Sequence, residues 1–336
     1  MSITIKDVAK RADVCIATVS RAFNEPDRVS ERKKKAIFEA AEALHYQPNA
    51  LARGLITKHT CSIGVLVPDI DNIFHPRVIR GIEDYCSSHG YLSYVCNTYS
   101  SIEKEKQYIS TLLKQRIDGF IFVGTRPTDP RKNEHIVRLA EHSEVVLLFD
   151  DLKDADLCAV YTDEVAGACE AVRYLHSLGH QKIALFSSDS PYTTYAYKRR
   201  GYEKALRELG LPLRSDYIFC STPYAAGGYQ CMQRMCERFS PEEMPRAIFA
   251  ASDQEVLGVL RYCREHGLRV PEDFSIVGFS GTKMIEEFGE RFPTIDQHPY
   301  TIGKIAAEAL IQRARHEGTR PRTILVESQL VLPPSR

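Results

Sequence analysis

Few residues in this chain are spaced for bond-making chemistry. No Gly-x-Gly-x-x-Gly or phosphate loop follows an apolar run, Gly-x-Ser-x-Gly is absent, and isolated Asp and His residues carry no supporting motif. The ten cysteines (Cys15, Cys61, Cys86, Cys96, Cys158, Cys169, Cys220, Cys231, Cys236, Cys263) stand singly, with neither a Cys-x-x-Cys pair nor a zinc spacing. They read as reduced thiols, mostly buried as small hydrophobes. No enzyme activity, cofactor or metal is expected. The spacing favours recognition instead. The first sixty residues hold eleven Lys and Arg against seven Asp and Glu, a net +4, and the remainder carries −4. A basic head on an acidic body suits a polyanion partner for the head alone. The arginines of such a head, Arg21 among them, have the fork that can make a bidentate contact to guanine, worth roughly 1–3 kcal/mol of discrimination.

The elements that would position Arg21 follow from periodicity. Thr4 and Asp7 have the spacing of a capping box, and Ile5, Val8, Ala9 and Ala12 then recur at helical intervals. Asp13-Val14 breaks the pattern. A second short helix runs from about Ile16 to Phe23, a loop covers Asn24 to Asp27, and Ser30 suits the N-cap of a third helix. Three short helices with a tight first turn form the helix-turn-helix plan. Only the major groove admits such a helix and displays a full base code. With 336 residues, 43% apolar and 26% charged, the chain is sized for two or three ordinary globular domains. No secretory stretch or run of ~18 apolar residues is present, so a cytoplasmic location is expected, away from membranes.

At these residues the chain resembles the lactose/galactose repressor (LacI/GalR) family. The likeness rests on Thr4-Ile5-Lys6-Asp7-Val8-Ala9, Val14, Ala17-Thr18-Val19-Ser20-Arg21, Val29-Ser30, Tyr46, Pro48-Asn49-Ala50-Leu51-Ala52-Arg53 and Leu55. The resemblance implies that Ile16, Ala17 and Arg21 face base edges, and that Thr18, Ser20 and Asn24 contact phosphates or brace the helix. It extends the DNA-contacting set to Thr4, Ser30, Tyr46, Asn49, Ala52 and Leu55. Two residues depart from the family pattern: Asp13 replaces a turn glycine, which Asp tolerates, and Cys15 replaces a capping serine with a poorer cap. Residues 48–57 are too short for a stable lone helix, and Gly54 weakens them further. The resemblance makes them a hinge that folds on operator DNA, with Leu55 wedged in the minor groove.

From Cys61 the pattern becomes strand-helix alternation, with apolar strands at residues 63–68, 92–96, 119–123, 145–149, 183–186, 248–251 and 275–279. The fold class expected is α/β: an all-α helix-turn-helix headpiece (1–47), a hinge (48–60), and a two-lobed, type I periplasmic-binding-protein-like core with parallel sheets (61–336). By the family likeness, lobe one is about 61–161 plus 293–322, and lobe two about 162–292 plus 323–336. An effector would lie between the lobes. Residues carried over to that cleft are Asn72, Phe74, His75, Lys198, Ser252, Asp253 and Ser280. Ser280 stands where the family carries an Asp that accepts from a sugar. A sugar held in the common way is therefore less expected than a phosphosugar or acid, whose own acceptors would suit Lys198 and Ser280.

The expected partners are a near-palindromic double-stranded operator, a small-molecule effector and a second copy of the chain. No leucine heptad follows Leu332-Pro333-Pro334, so a homodimer is expected. The function expected is a sequence-specific transcriptional regulator, a repressor of carbohydrate or related catabolic genes. Two alternatives stand beside it: a solute-binding protein without DNA function, and a catabolite regulator that needs a co-repressor protein. Asn72-Ile73-Phe74 resembles the catabolite control branch, whose co-repressor is a phosphorylated carrier protein, whereas Lys6 to Ala12 resembles the purine branch.

Overall fold

The computed structural model describes residues 3–24, 26–46, 59–152, 155–281, 289, 291–317 and 322–333. Hinge residues Asn49, Ala52 and Leu55 lie outside them. The chain forms two compact units, Met1–Thr60 and Cys61–Arg336.

In the first unit, α1 (Ile5–Arg11), α2 (Ile16–Asn24) and α3 (Glu31–Ala43) surround a small core of Val8, Val19, Ala22 and Ile37. The Asp7 carboxylate accepts from the Thr4 amide and hydroxyl, both at 2.8 Å, and closes the expected capping box. Asp13 takes the left-handed backbone that the turn demands, with φ 51. The expected loop at Asn24 to Asp27 is shorter than read: α2 runs through Asn24, and Pro26–Arg28 form a 3₁₀ turn. A proline at the start of a helical turn gives up no needed amide. Ser30 occupies the N-cap of α3 with extended backbone, but its side chain makes no capping bond.

The second unit has two six-stranded sheets. The first has the order β2 (Leu92–Asn97), β1 (Ser62–Val67), β3 (Gly119–Phe122), β4 (Glu144–Leu148), β5 (Cys158–Thr162), β11 (Thr323–Val326). The second has β7 (Ile218–Cys220), β6 (Ile183–Ser187), β8 (Ala247–Ala250), β9 (Ser275–Ser280), β10 (Thr294–Asp296), β12 (Gln329–Val331). Among the described residues every strand pairing is parallel except β10 with β12. Fully buried runs such as β1, β3 and β8 are what sheets covered on both faces require. The covering helices are α4 (His75–Ser88), α5 (Ile102–Lys114), α6 (Glu134–Ala140), α7 (Glu164–Ser177), α8 (Thr193–Glu208), α9 (Ala225–Arg238), α10 (Asp253–Glu265) and α11 (Pro299–Ala314). Helices α4 and α11 approach so closely that a Cβ on Gly81 would strike the Tyr300 carbonyl.

Two expected lobe boundaries are corrected. The crossover placed at 293 lies after Asp296, because Thr294–Asp296 pairs with β9 in the second sheet. Residues 323–326, assigned to lobe two, pair with β5 in the first sheet. The chain therefore passes between the sheets three times, after β5, β10 and β11. Gln297 fastens two of these passages by donating to the Thr162 hydroxyl at 2.9 Å and to Glu164 at 3.4 Å. All ten cysteines are free. Five are buried, while Cys15 and Cys61 are exposed.

Candidate functional site

The headpiece presents one face of α2 to solvent. Val19 and Ala22 are buried, whereas Ile16, Ala17 and Arg21 are exposed. The three residues expected to face bases thus share the side turned away from the core. An isoleucine 44% exposed on a short helix is not a core residue. Cys15 supplies the N-cap carbonyl, which accepts from the Thr18 amide at 2.9 Å and the Val19 amide at 3.2 Å. Its thiol lies 3.1 Å from the Thr18 hydroxyl. That hydrogen bond draws the thiol pKa below its usual range. Thr4 is occupied in the capping box, and Ser20 is half-buried. Tyr46 packs against Phe23, with ring centroids 6.0 Å apart.

In the second unit, a cavity of about 360 Å³ is lined from both lobes near the carboxyl ends of β1, β4 and β9. That is where open α/β sheets place ligands. Asn72, Phe74, His75, Lys198, Ser252 and Ser280 all line it. Asp253 does not, which corrects its sequence assignment. Its carboxylate accepts from the Thr294 hydroxyl at 2.6 Å and braces β10 instead. Asn72 Oδ1 accepts from the Phe74 amide at 3.0 Å, which fixes the start of α4. Phe74 and Phe149 stack at a tilt, 5.1 Å between centroids. Two lining residues hold strained backbone, Phe149 at φ 66 and Ser280 at φ 147.

His75 is buried, and its Nδ1 lies 2.6 Å from the Asp69 carbonyl. A carbonyl can only accept, so Nδ1 carries the proton. Burial pushes the imidazole pKa below its usual range, and the neutral ring leaves Nε2 as an acceptor. Lys198 is 6% exposed and far from the free cation the sequence suggested. It donates to the Ala251 carbonyl at 2.9 Å, lies 3.7 Å from Glu164 Oε1 and sits 4.2 Å from the Phe279 ring centroid. Glu164 also accepts from the Thr194 hydroxyl at 2.7 Å. Burial raises the pKa of Glu164 and pushes that of the fully buried Glu255 up to about 8.

Sequence reasoning missed Asp69, Phe149, Glu164, Tyr192, Tyr195, Tyr224 and Gln297 among the lining residues. Asp69 and Phe149 just follow apolar strands, a position that could have marked them. Tyr224 donates to Asp69 at 2.5 Å and ties the two lobes across the cavity. A second tie joins Thr193 to Asp150 at 2.6 Å. Beneath it in lobe one, Arg126 grips Glu105 with two bonds of 2.8 Å, and His135 adds a third at 2.7 Å. Among the described residues no helix is long and apolar enough to cross a membrane, and no acidic, Cys or His group could hold a metal ion.

Comparison with known proteins covers both units. Residues 4–49 match the model of bacterial regulatory proteins of the lacI family. Residues 60–332 match the model of periplasmic binding proteins and sugar binding domain of LacI family. Catabolite control protein A of Priestia megaterium is 34% identical over 100% of this chain and 98% of its own length. The repressor PurR of Mannheimia succiniciproducens is 30% identical over 98% and 97% of the two chains. The lac repressor dimer, solved on its operator with an anti-inducer, superposes with a TM-score of 0.85 at 25% identity, covering 99% of this chain and 98% of that one. These relatives are transcriptional regulators and not enzymes. With a helix-turn-helix unit whose second helix turns Arg21 outward and a two-sheet core enclosing a cavity, the chain belongs to the LacI family of DNA-binding regulators.

Proposed function

We propose that the chain acts as a homodimeric repressor that reads a near-palindromic operator through α2 and responds to a small molecule in the core cavity. The observation that carries this reading is the outward face of α2, where Ile16, Ala17 and Arg21 are exposed over a buried Val19 and Ala22. Arg21 reads guanine, and Ile16 and Ala17 offer apolar contact to a thymine methyl. Thr4, Thr18, Ser20, Asn24, Ser30 and Tyr46 hold the headpiece on phosphates or keep α2 in position. Asn49, Ala52 and Leu55 order the hinge on DNA. The edge strand β2 exposes Leu92, Tyr94 and Val95, an apolar strip suited to a second copy of the chain.

Salt dependence tests the reading. Operator affinity is expected to fall on the order of 10³-fold or more between ~50 and ~200 mM salt, because each phosphate contact releases counterions. A solute-binding protein would bind duplex weakly and alike at every salt. In a parallel titration, Leu55→Ala is expected to weaken operator binding more than binding to random duplex, since wedging serves only the specific complex. Equal losses on both DNAs would refute the wedge.

A further inference from the structure

We infer that Glu255 is a pH-responsive group at the start of α10: it is buried as the neutral acid, and loss of its proton destabilises the second lobe and sets a second carboxylate in competition for the Lys198 ammonium. Glu255 sits in the first turn of α10, three residues after the N-cap Ser252. A Glu at that position usually reaches back to the N-cap amide, and the helix dipole favours its negative charge. Here the reach falls short. The Ser252 amide is near enough to favour ionisation, yet neither carboxyl oxygen has a hydrogen-bond partner, and the residue is 0% exposed. A carboxylate left without a donor in such surroundings is too costly to keep, so the group retains its proton. Burial thus outweighs both the Lys198 charge and the Ser252 amide.

The packed neighbours have their own commitments. Gly228 of α9 lies so close to the Glu255 backbone that a Cβ would overlap its carbonyl. Arg234 of α9 is turned to the Cys220 carbonyl at 2.6 Å and the Cys231 sulfur at 3.3 Å, and burial holds the Cys231 thiol neutral, pushed up to about 11. On α8, burial keeps the Tyr195 phenol neutral, while Lys198 donates to the Ala251 carbonyl and lies beside Glu164. Asp253, on α10 itself, accepts from Thr294. Strands β8 and β9 bring no ionisable side chain. Ionised Glu255 would therefore compete with Glu164 and Ala251 for one ammonium. Lys198 and Ser252 both line the cavity, so the change reaches the effector site, a final step that rests on the proposal that the cavity is that site. Because the folded pKa lies above the ordinary 4.5, the fold binds this proton more tightly than the unfolded chain does. The stabilisation is complete below about pH 4.5 and is lost as pH rises through about 8.

The test compares the full chain with Glu255→Gln and Glu255→Met, neither of which can ionise; the methionine keeps the volume without a polar atom should the glutamine variant misfold. Infrared difference spectra at about pH 7 are expected to show a protonated-carboxyl stretch that both variants lack, fading above about pH 8. In denaturation titrations, the folding constant of the wild type relative to either variant is expected to fall by up to ~10-fold per pH unit between about pH 5 and 8. The comparison cancels groups such as His75, whose burial as the neutral ring acts with the opposite sign. In a Lys198→Met background the stretch is expected to persist to higher pH, because the charge that favours ionisation is gone. No such stretch at about pH 7, a stretch indifferent to Lys198→Met, or a wild-type stability that runs parallel to both variants overturns the inference. These readouts need neither operator nor effector, so their failure leaves the regulator reading standing, and a failure to bind operator leaves them standing.

Discussion

Replacing Arg126 with methionine is expected to cost the core about 3–5 kcal/mol, the usual result of stranding one member of a buried ion pair. Arg126 is 5% exposed and Glu105 is 7% exposed. Burial alone would raise the pKa of Glu105, but hydrogen bonds from His135 and Arg126, with the Arg126 charge, hold it down to about 2. Without the guanidinium, a carboxylate remains in the core with only His135 beside it. Chemical denaturation of both proteins measures the loss, and a cost under about 1 kcal/mol would show that water or a neighbour replaces the arginine. The pH dependence has a definite sign. A folded pKa below the ordinary 4.5 means that this stabilisation is complete above about pH 4.5 and fades as pH falls toward 2. Arg126→Met should flatten that acid limb. The effect reaches the cavity as well, since the Arg126 carbonyl accepts from the Thr193 amide of lobe two at 3.1 Å.

The second large effect falls on specificity and leaves folding untouched. Arg21→Ala is expected to abolish preference at one base pair in each half-site, at roughly 1–3 kcal/mol per site. Arg21 is exposed, so thermal stability should hardly move. Competition between a selected operator and single-base variants supplies the readout. A variant that still ranks those duplexes as the wild type does would remove α2 from the role of base reader.

The legible parts of this molecule were those specified by local pattern. The headpiece helices and seven core strands follow from periodicity and capping within a few residues of one another, while the left-handed Asp13 came from the family resemblance. The lobe boundary after Asp296 was not legible because Thr294-Ile295-Asp296 is too short to show a period. Strands β11 and β12 are brief apolar segments of similar character, and only tertiary packing assigns them to different sheets. The site shows the same division. Six of the seven carried-over cleft residues line the cavity, because chain landmarks locate them. The partners of Lys198 were invisible, since Ala251 and Glu164 lie on other elements. A lysine that looked available to an anion instead donates to a backbone carbonyl and lies beside a carboxyl that the sequence does not place there. Asp253 misled for the same reason: its partner Thr294 comes from β10.

The most direct measurement is selection of bound duplexes from a random pool by the purified protein, with and without a metabolite extract. The account predicts enrichment of a near-palindromic sequence whose half-sites carry a guanine that Arg21→Ala no longer requires, and a change in yield when extract is added. Recovery of a pool as random as the starting one under both conditions would contradict it.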